Sequence, residues 1–220
     1  MASKYSMNDR PSWPRRAIVT AGEPYGNKGL HFGHVGGVFV PADFFARFLR
    51  DRLGRENVIF TSGTDCYGSP IMESYRKLKE NEGYDKSISE YVESNHSCQA
   101  ATLNNYNISC DIYGGSGLEP AAKIHNEVTA EIIERLHEQG TISKRSTLQF
   151  YDAKAGTFLN GRQVIGRCPI QGCKSEKAYA DECDLGHQFE PEELIAPKSQ
   201  LTGEVPELRP VDNLYFDLPA

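Results

Sequence analysis

The sequence predicts an α/β fold built on a parallel sheet, followed by a smaller β-rich insert, and three observations carry that expectation. Two short apolar runs, Ala17-Ile18-Val19-Thr20-Ala21 and Asn57-Val58-Ile59-Phe60-Thr61, flank a stretch with helical periodicity. Each run leads directly into a polar, glycine-bearing loop, residues 22–34 and 62–70. Beyond Thr141 the pattern changes to short β-like pieces and closely spaced cysteines. Strand, helix and strand in that order form a βαβ unit, which implies parallel strands and a right-handed crossover. Such sheets bind ligands beyond the carboxyl ends of their strands, where both loops lie.

Taken in order, residues 1–16 are polar and proline-bearing and read as a flexible lead. Residues 17–21 read as a buried strand. From Gly36 to Arg52, Val38, Phe39, Ala42, Phe45, Ala46 and Leu49 recur at helical spacing, with basic residues toward the end, as the helix dipole favours. Residues 71–82 and 87–106 read as helices parted by Glu82-Gly83-Tyr84-Asp85. Ser109 to Tyr113 reads as a third strand, ended by Gly114-Gly115. Pro120 to Gln139 reads as a helix with proline in its first turn and Gly140 just past its end. Its apolar face would be Ile124, Val128, Ile132, Ile133 and Leu136. In the insert, Thr147 to Tyr151 and Gln163-Val164-Ile165 are β-like, and the last such piece is Leu214-Tyr215-Phe216-Asp217-Leu218. The organisation is therefore a lead over 1–16, an α/β domain over 17–140 and an insert over 141–220.

At 220 residues, 39% hydrophobic and 25% charged, the chain has the composition of an ordinary globular protein with ample core. No apolar run approaches the roughly 18 residues that span a bilayer, and no signal-peptide core opens the chain. A cytoplasmic setting without membrane contact is expected. The net charge of −6 argues against nucleic-acid binding by electrostatics alone. Arg47, Arg50, Arg52 and Arg55 are expected to form a solvated helix face. Six cysteines in such a chain suggest metal ligands or free thiols. Cys98 and Cys110 read as buried free thiols.

The most informative string is Pro24-Tyr25-Gly26-Asn27-Lys28-Gly29-Leu30-His31-Phe32-Gly33-His34. Two imidazoles three apart, with glycine between them at a strand-to-helix turn, suit a polyanionic phosphate. Glycine lets the backbone approach the ligand, the helix N-terminus offers N–H groups, and imidazoles donate to phosphoryl oxygens as charge builds. At the other end, Cys168-Pro169-Ile170-Gln171-Gly172-Cys173 and Cys183-Asp184-Leu185-Gly186-His187 supply three thiolates and one imidazole, a set suited to tetrahedral structural zinc.

The pattern Pro24-Tyr25-x-Asn27-x-x-x-His31-x-Gly33-His34 resembles the signature of the class I aminoacyl-tRNA synthetases. The block from Cys168 to Leu218 is similar to the zinc-bearing connective peptide of the methionyl family, notably in Glu193-Leu194-Ile195-x-Pro197-Lys198-Ser199. The resemblance implies a Rossmann-like fold, with His31 and His34 stabilising adenylate formation from magnesium-bound ATP and an amino acid. It implies that Asn27 and Gly33 also serve the ATP site. Asp65 falls where the family binds the α-amino group, while Gly22, Glu23 and Tyr25 border the amino-acid pocket. The zinc set would be Cys168, Cys173, Cys183 and His187. His187 replaces an expected cysteine, with Asp181 or Asp184 as other completions.

Two departures bear on the substrate. Glu23 stands where methionyl enzymes place an apolar residue, and Cys66-Tyr67 stands where an acidic or small residue precedes histidine. The family's K-M-S-K-S loop is not found in these 220 residues. The resemblance thus covers the front half of a catalytic core, expected to be weakly active or inactive by itself. It implies methionine, ATP and tRNA as partners, the last bound mostly through segments outside this sequence, together with the remaining half of a synthetase. The other reading is a divergent relative that binds a nucleotide, amino acid or protein without aminoacylation.

Overall fold

The computed structural model describes residues 13–175 and 177–217. Residues 1–12 of the expected lead and Leu218 of the last expected insert strand lie outside the described residues. In chain order the main elements are β1 (Ala17–Thr20), α1 (Phe32–His34), α2 (Val40–Leu53), β2 (Val58–Thr64), α3 (Ser69–Glu82), α4 (Ile88–Asn105), β3 (Ile112–Gly115) and α5 (Ala121–Glu138). These are followed by β4 (Ile142–Asp152), β5 (Thr157–Phe158), β6 (Val164–Arg167), β7 (Ile195–Ser199) and β8 (Glu207–Phe216). The described residues form two compact units, one within 13–66 and 89–122, the other within 67–88 and 123–217.

The first unit is a parallel sheet in the order β1-β2-β3. Its core joins Val19, Val58 and Phe60 of the strands to Phe39, Ala46 and Leu49 of the first helical run and to Leu103 and Ile108. Of β1, Val19 alone is buried, and Ile18, Ile59 and Ile112 are exposed on the opposite face. The fully buried first strand expected from composition is thus a half-buried one.

The third strand also differs. It begins at Ile112 rather than Ser109, and Gly114-Gly115 are its last two residues, with Gly114 the register partner of Gly63 at close approach. A Cβ at Gly63 would fall 2.5 Å from the Gly114 carbonyl oxygen. Glycine at position 63 is therefore a packing requirement.

Of the arginines expected on a solvated face, Arg47 and Arg52 of α2 and Arg55 just beyond it are exposed, whereas the Arg50 side chain is buried. Arg47 donates to Asp43 at 2.7 Å and to the Asn107 carbonyl at 2.7 Å. Arg50 and Arg55 both bond Asp111 at 2.6 Å, and Asp111 also accepts the Phe60 N–H at 2.8 Å. This ties α2 to the entry of β3 and to β2. Burial alone would raise the Asp111 pKa, but the Phe60 N–H and the two guanidiniums hold it below its ordinary value. Asp111→Ala is expected to destabilise the protein by about 2–3 kcal/mol, less than for a fully buried pair, because Arg50 would lose its anion. Urea unfolding would measure the loss. The carboxylate stabilises the fold above the unfolded value near pH 4, and that contribution disappears as pH falls through the lower folded value.

The second unit contains α3, most of α5 and two antiparallel sheets, β5-β4-β8 and β6-β7. The ladder of β4 with β8 runs from Ile142–Phe216 to Tyr151–Glu207, so the strand expected over 147–151 is twice as long. Phe150, Leu159, Val164, Ala178, Ala180, Cys183 and Leu194 form its core. On α5, Ile124, Val128 and Ile132 are exposed, contrary to their expected role as a packed face. Cys98 is exposed as well, whereas Cys110 is half-buried, with its thiol pushed up to about 11 chiefly by burial. No helix among the described residues is long and apolar enough to cross a membrane.

Candidate functional site

The loop between β1 and α1 is held by backbone and by one face of α4. Asp65 donates its N–H to the Pro24 carbonyl at 2.9 Å, and Gly26 returns an N–H to the Asp65 carbonyl at 2.8 Å. This bridges Tyr25 to Asp65, just beyond the carboxyl ends of β1 and β2. Gly26 is required there, since a Cβ would lie 2.9 Å from Val92 and 3.1 Å from Thr64.

Four consecutive carbonyls of this loop are taken by α4. Gln99 donates to Tyr25 at 2.9 Å and to Lys28 at 2.8 Å, Asn95 donates to Gly26 at 3.2 Å, and the Tyr91 hydroxyl donates to Asn27. The Gln99 side-chain oxygen accepts from Thr64 at 2.8 Å and Tyr113 at 2.9 Å. Every hydrogen-bonding position of this fully buried amide is therefore used. His96 Nδ1 lies 2.8 Å from the Thr64 hydroxyl, and its ring stacks on Tyr113. Since Thr64 donates to Gln99, His96 must be the donor to Thr64. Burial lowers the His96 pKa against an opposing pull from Glu93, and burial above all pushes Tyr113 up to about 12.

Sequence reasoning missed this ladder, although Tyr91, Asn95 and Gln99 at i, i+4 and i+8 share one helix face. Gln99→Leu would strand two carbonyls, a threonine and a tyrosine in a dry site. A loss of about 3–5 kcal/mol in thermal or urea unfolding is expected, from the desolvation penalty of unpaired buried groups.

At the end of the loop His31 and His34 cap the helical run that α1 opens, and a π-helical turn, Val35–Phe39, joins α1 to α2. The His31 N–H donates to His34 Nδ1 at 3.3 Å, and the Gly33 N–H donates to His31 Nδ1 at 3.1 Å. In the neutral rings both protons must then sit on Nε2, the outward nitrogens. The rings stack with centroids 3.8 Å apart. Burial, with the charges of His31 and Lys28, lowers the His34 pKa. A Cβ on Gly33 would lie 3.0 Å from the His31 ring, so glycine allows the imidazole to fold back on the backbone. The arrangement stacks two imidazoles whose Nε2–H groups suit phosphoryl oxygens.

Of the amino-acid residues expected from sequence, Tyr25 and Asp65 are joined by their bridge, and Asp65 is half-buried. Gly22 is exposed, with its carbonyl 3.4 Å from the Ser62 hydroxyl. Glu23 is exposed, and its Oε1 lies 3.3 Å from where a Gly63 Cβ would be. Cys66 is tethered through its N–H to Ser116 at 2.9 Å.

In the second unit, Cys168, Cys173, Cys183 and His187 place one ligand atom each within 4.8 Å of one another. Cys183 Sγ is 3.4 Å from His187 Nδ1 and 4.0 Å from Cys173 Sγ, and Cys168 Sγ is 3.8 Å from His187 Nδ1. Ligands about 2.0–2.3 Å from a tetrahedral zinc stand some 3.3–3.8 Å apart, so the set fits. Gly186, at φ +83°, makes the turn that returns His187 to the cysteines. Asp184, one of the other completions, instead accepts the Ser175 hydroxyl.

These features can be set beside known proteins. The family model described as tRNA synthetases class I (M) matches residues 17–220. The chain belongs to this family. The methionine–tRNA ligase of Cytophaga hutchinsonii is 37% identical over 93% of this chain and 28% of its own length. That of Nanoarchaeum equitans is 36% identical over 93% of this chain and 25% of its own length. The chain thus spans about a quarter of these curated relatives. Among solved structures, Mycobacterium tuberculosis methionyl-tRNA synthetase in complex with methionyl-adenylate aligns with a TM-score of 0.55 and 18% identity, over 92% of this chain and 32% of that one. An Agrobacterium radiobacter K84 LeuRS in ternary complex with tRNA and LeuAMS aligns with a TM-score of 0.55 and 16% identity, over 92% and 20% of the two chains. The sheet is accordingly that of the Rossmann-like class I synthetase fold.

Proposed function

We propose that this synthetase-family chain supplies the front half of the catalytic site of a methionine–tRNA ligase. The reaction joins the methionine carboxylate oxygen to the α-phosphorus of magnesium-bound ATP. The bond from that phosphorus to the bridging oxygen breaks, pyrophosphate leaves, and the adenylate then acylates tRNA. His31 and His34 donate Nε2–H to the phosphate oxygens, with Asn27 and Gly33 lining the nucleotide side. Asp65 holds the α-ammonium through a charge-assisted bond, and Gly22, Glu23 and Tyr25 border the amino acid. The observation carrying this reading is the stacked pair of imidazoles beyond β1, each accepting a backbone N–H at Nδ1.

Zinc in the Cys168, Cys173, Cys183 and His187 set would be structural, since four protein ligands leave no open position. The exposed apolar faces of the sheet and of α5 support a further partner, the remaining half of a synthetase, with most tRNA contacts made there and the whole acting in the cytoplasm. Amino-acid-dependent exchange of pyrophosphate into ATP by the full-length protein tests the reading. Exchange with methionine supports it, and no exchange with any amino acid refutes it.

A further inference from the structure

We infer that Glu23 is a specificity-determining residue, which extends the site to amino acids whose side chain ends in an N–H donor at the expense of a bare thioether. The inference rests on the reading that this site activates an amino acid. Glu23 follows β1 at the carboxyl edge of the sheet, the edge at which parallel sheets bind ligands. Its Oε1 leans over the end of β2, close enough that a side chain at Gly63 would press on it at 3.3 Å. Its negative charge is felt at the Tyr113 phenol beside β3, where burial and that charge both resist ionisation. Glu23 therefore stands beside the central strand of the three.

Two carboxylates, Glu23 and Asp65, then border one site, while an amino acid brings only one α-ammonium. Asp65 is fixed by the Tyr25 bridge and half-buried. Glu23 has no ion pair or hydrogen bond among the described residues. A ligand that covers this carboxylate takes it out of water, and that is costly without a donor. An amide or ammonium at the end of the side chain supplies one, whereas the sulfur of methionine supplies none. A site built around such a bond discriminates against analogues lacking the donor more strongly than an apolar pocket discriminates by size.

The test is pyrophosphate exchange by the full-length protein with methionine, glutamine and lysine, compared between the wild type, Glu23→Leu and Glu23→Gln. Glu23 is exposed and unpartnered, and the glutamine variant preserves its shape should leucine impair folding. In Glu23→Leu the ratio of kcat/KM for the donor-bearing amino acids to that for methionine should fall about tenfold or more. Glu23→Gln should lower the ratio for lysine more than that for glutamine, because it removes charge but not hydrogen bonding. Ratios unchanged in both variants, with methionine exchange intact, would overturn the inference and leave the synthetase reading standing. Exchange with no amino acid would overturn both.

Discussion

With zinc in the proposed ligand set, exchanging Cys183 for serine is expected to release it and to open the β6-β7 region, read as loss of one zinc per chain and new protease cleavage between residues 164 and 199. Cys183 is both a buried member of the second unit's core and a neighbour of His187 at 3.4 Å and Cys173 at 4.0 Å. Its loss removes one ligand and leaves a hydroxyl in an apolar setting. In small zinc domains metal binding supplies on the order of 10 kcal/mol of apparent folding energy. Here Phe150, Leu159, Val164 and Leu194 give the unit a core of its own, so local opening is expected rather than global unfolding. A chelator should reproduce the effect in the unaltered protein, and zinc should restore the structure. Zinc retention should weaken on acidification, because the ligands are thiolates and neutral imidazole. Cys98→Ser, at an exposed thiol, should leave metal content unchanged. Full zinc content in Cys183→Ser would rule out this ligand set.

How much of this was legible beforehand depended on range. The alternation of apolar runs with glycine loops fixed the βαβ unit, since strand and helix periodicities are properties of neighbouring residues. The histidine pair and the cysteine cluster were legible for the same reason, because their spacing is local. What could not be read was which elements meet. Arg50 and Asp111 are 61 positions apart, and only the packing of α2 against the sheet makes them a pair. That Gly114 meets Gly63 at close approach was equally hidden, because the two lie on different strands. The Gln99 ladder was hidden in the same way, its acceptors being loop carbonyls more than 70 positions away. The α5 face failed for the opposite reason. Its apolar spacing predicts burial, but periodicity does not say whether the covering surface lies among these residues. The exposed Ile18, Ile59 and Ile112 pose that question for the sheet.

Replacing His34 with alanine is expected to lower the rate of adenylate formation by roughly a hundredfold to a thousandfold, the usual cost of losing one preorganised donor to developing charge. The KM for ATP should change far less, because the donor matters most as charge accumulates at the phosphate oxygens. In the proposed role His34 acts as a neutral ring, with Nδ1 accepting the His31 N–H and the proton on Nε2. Burial is the main cause that keeps it neutral, followed by the charges of His31 and Lys28. Protonation would place a second proton on Nδ1, break the cap bond and charge one of two rings stacked 3.8 Å apart. Activity should therefore fall on the acid side, with a midpoint below the ordinary histidine value of about 6.5. His31→Gln removes one of the causes that lower the His34 pKa. The acid limb should then move upward toward 6.5 without reaching it, because burial remains. A pH–rate profile of pyrophosphate exchange, paired with NMR titration of His34, measures that shift. An acid limb that stays in place in His31→Gln would mean that the two imidazoles act independently, as separate donors rather than as one stacked pair.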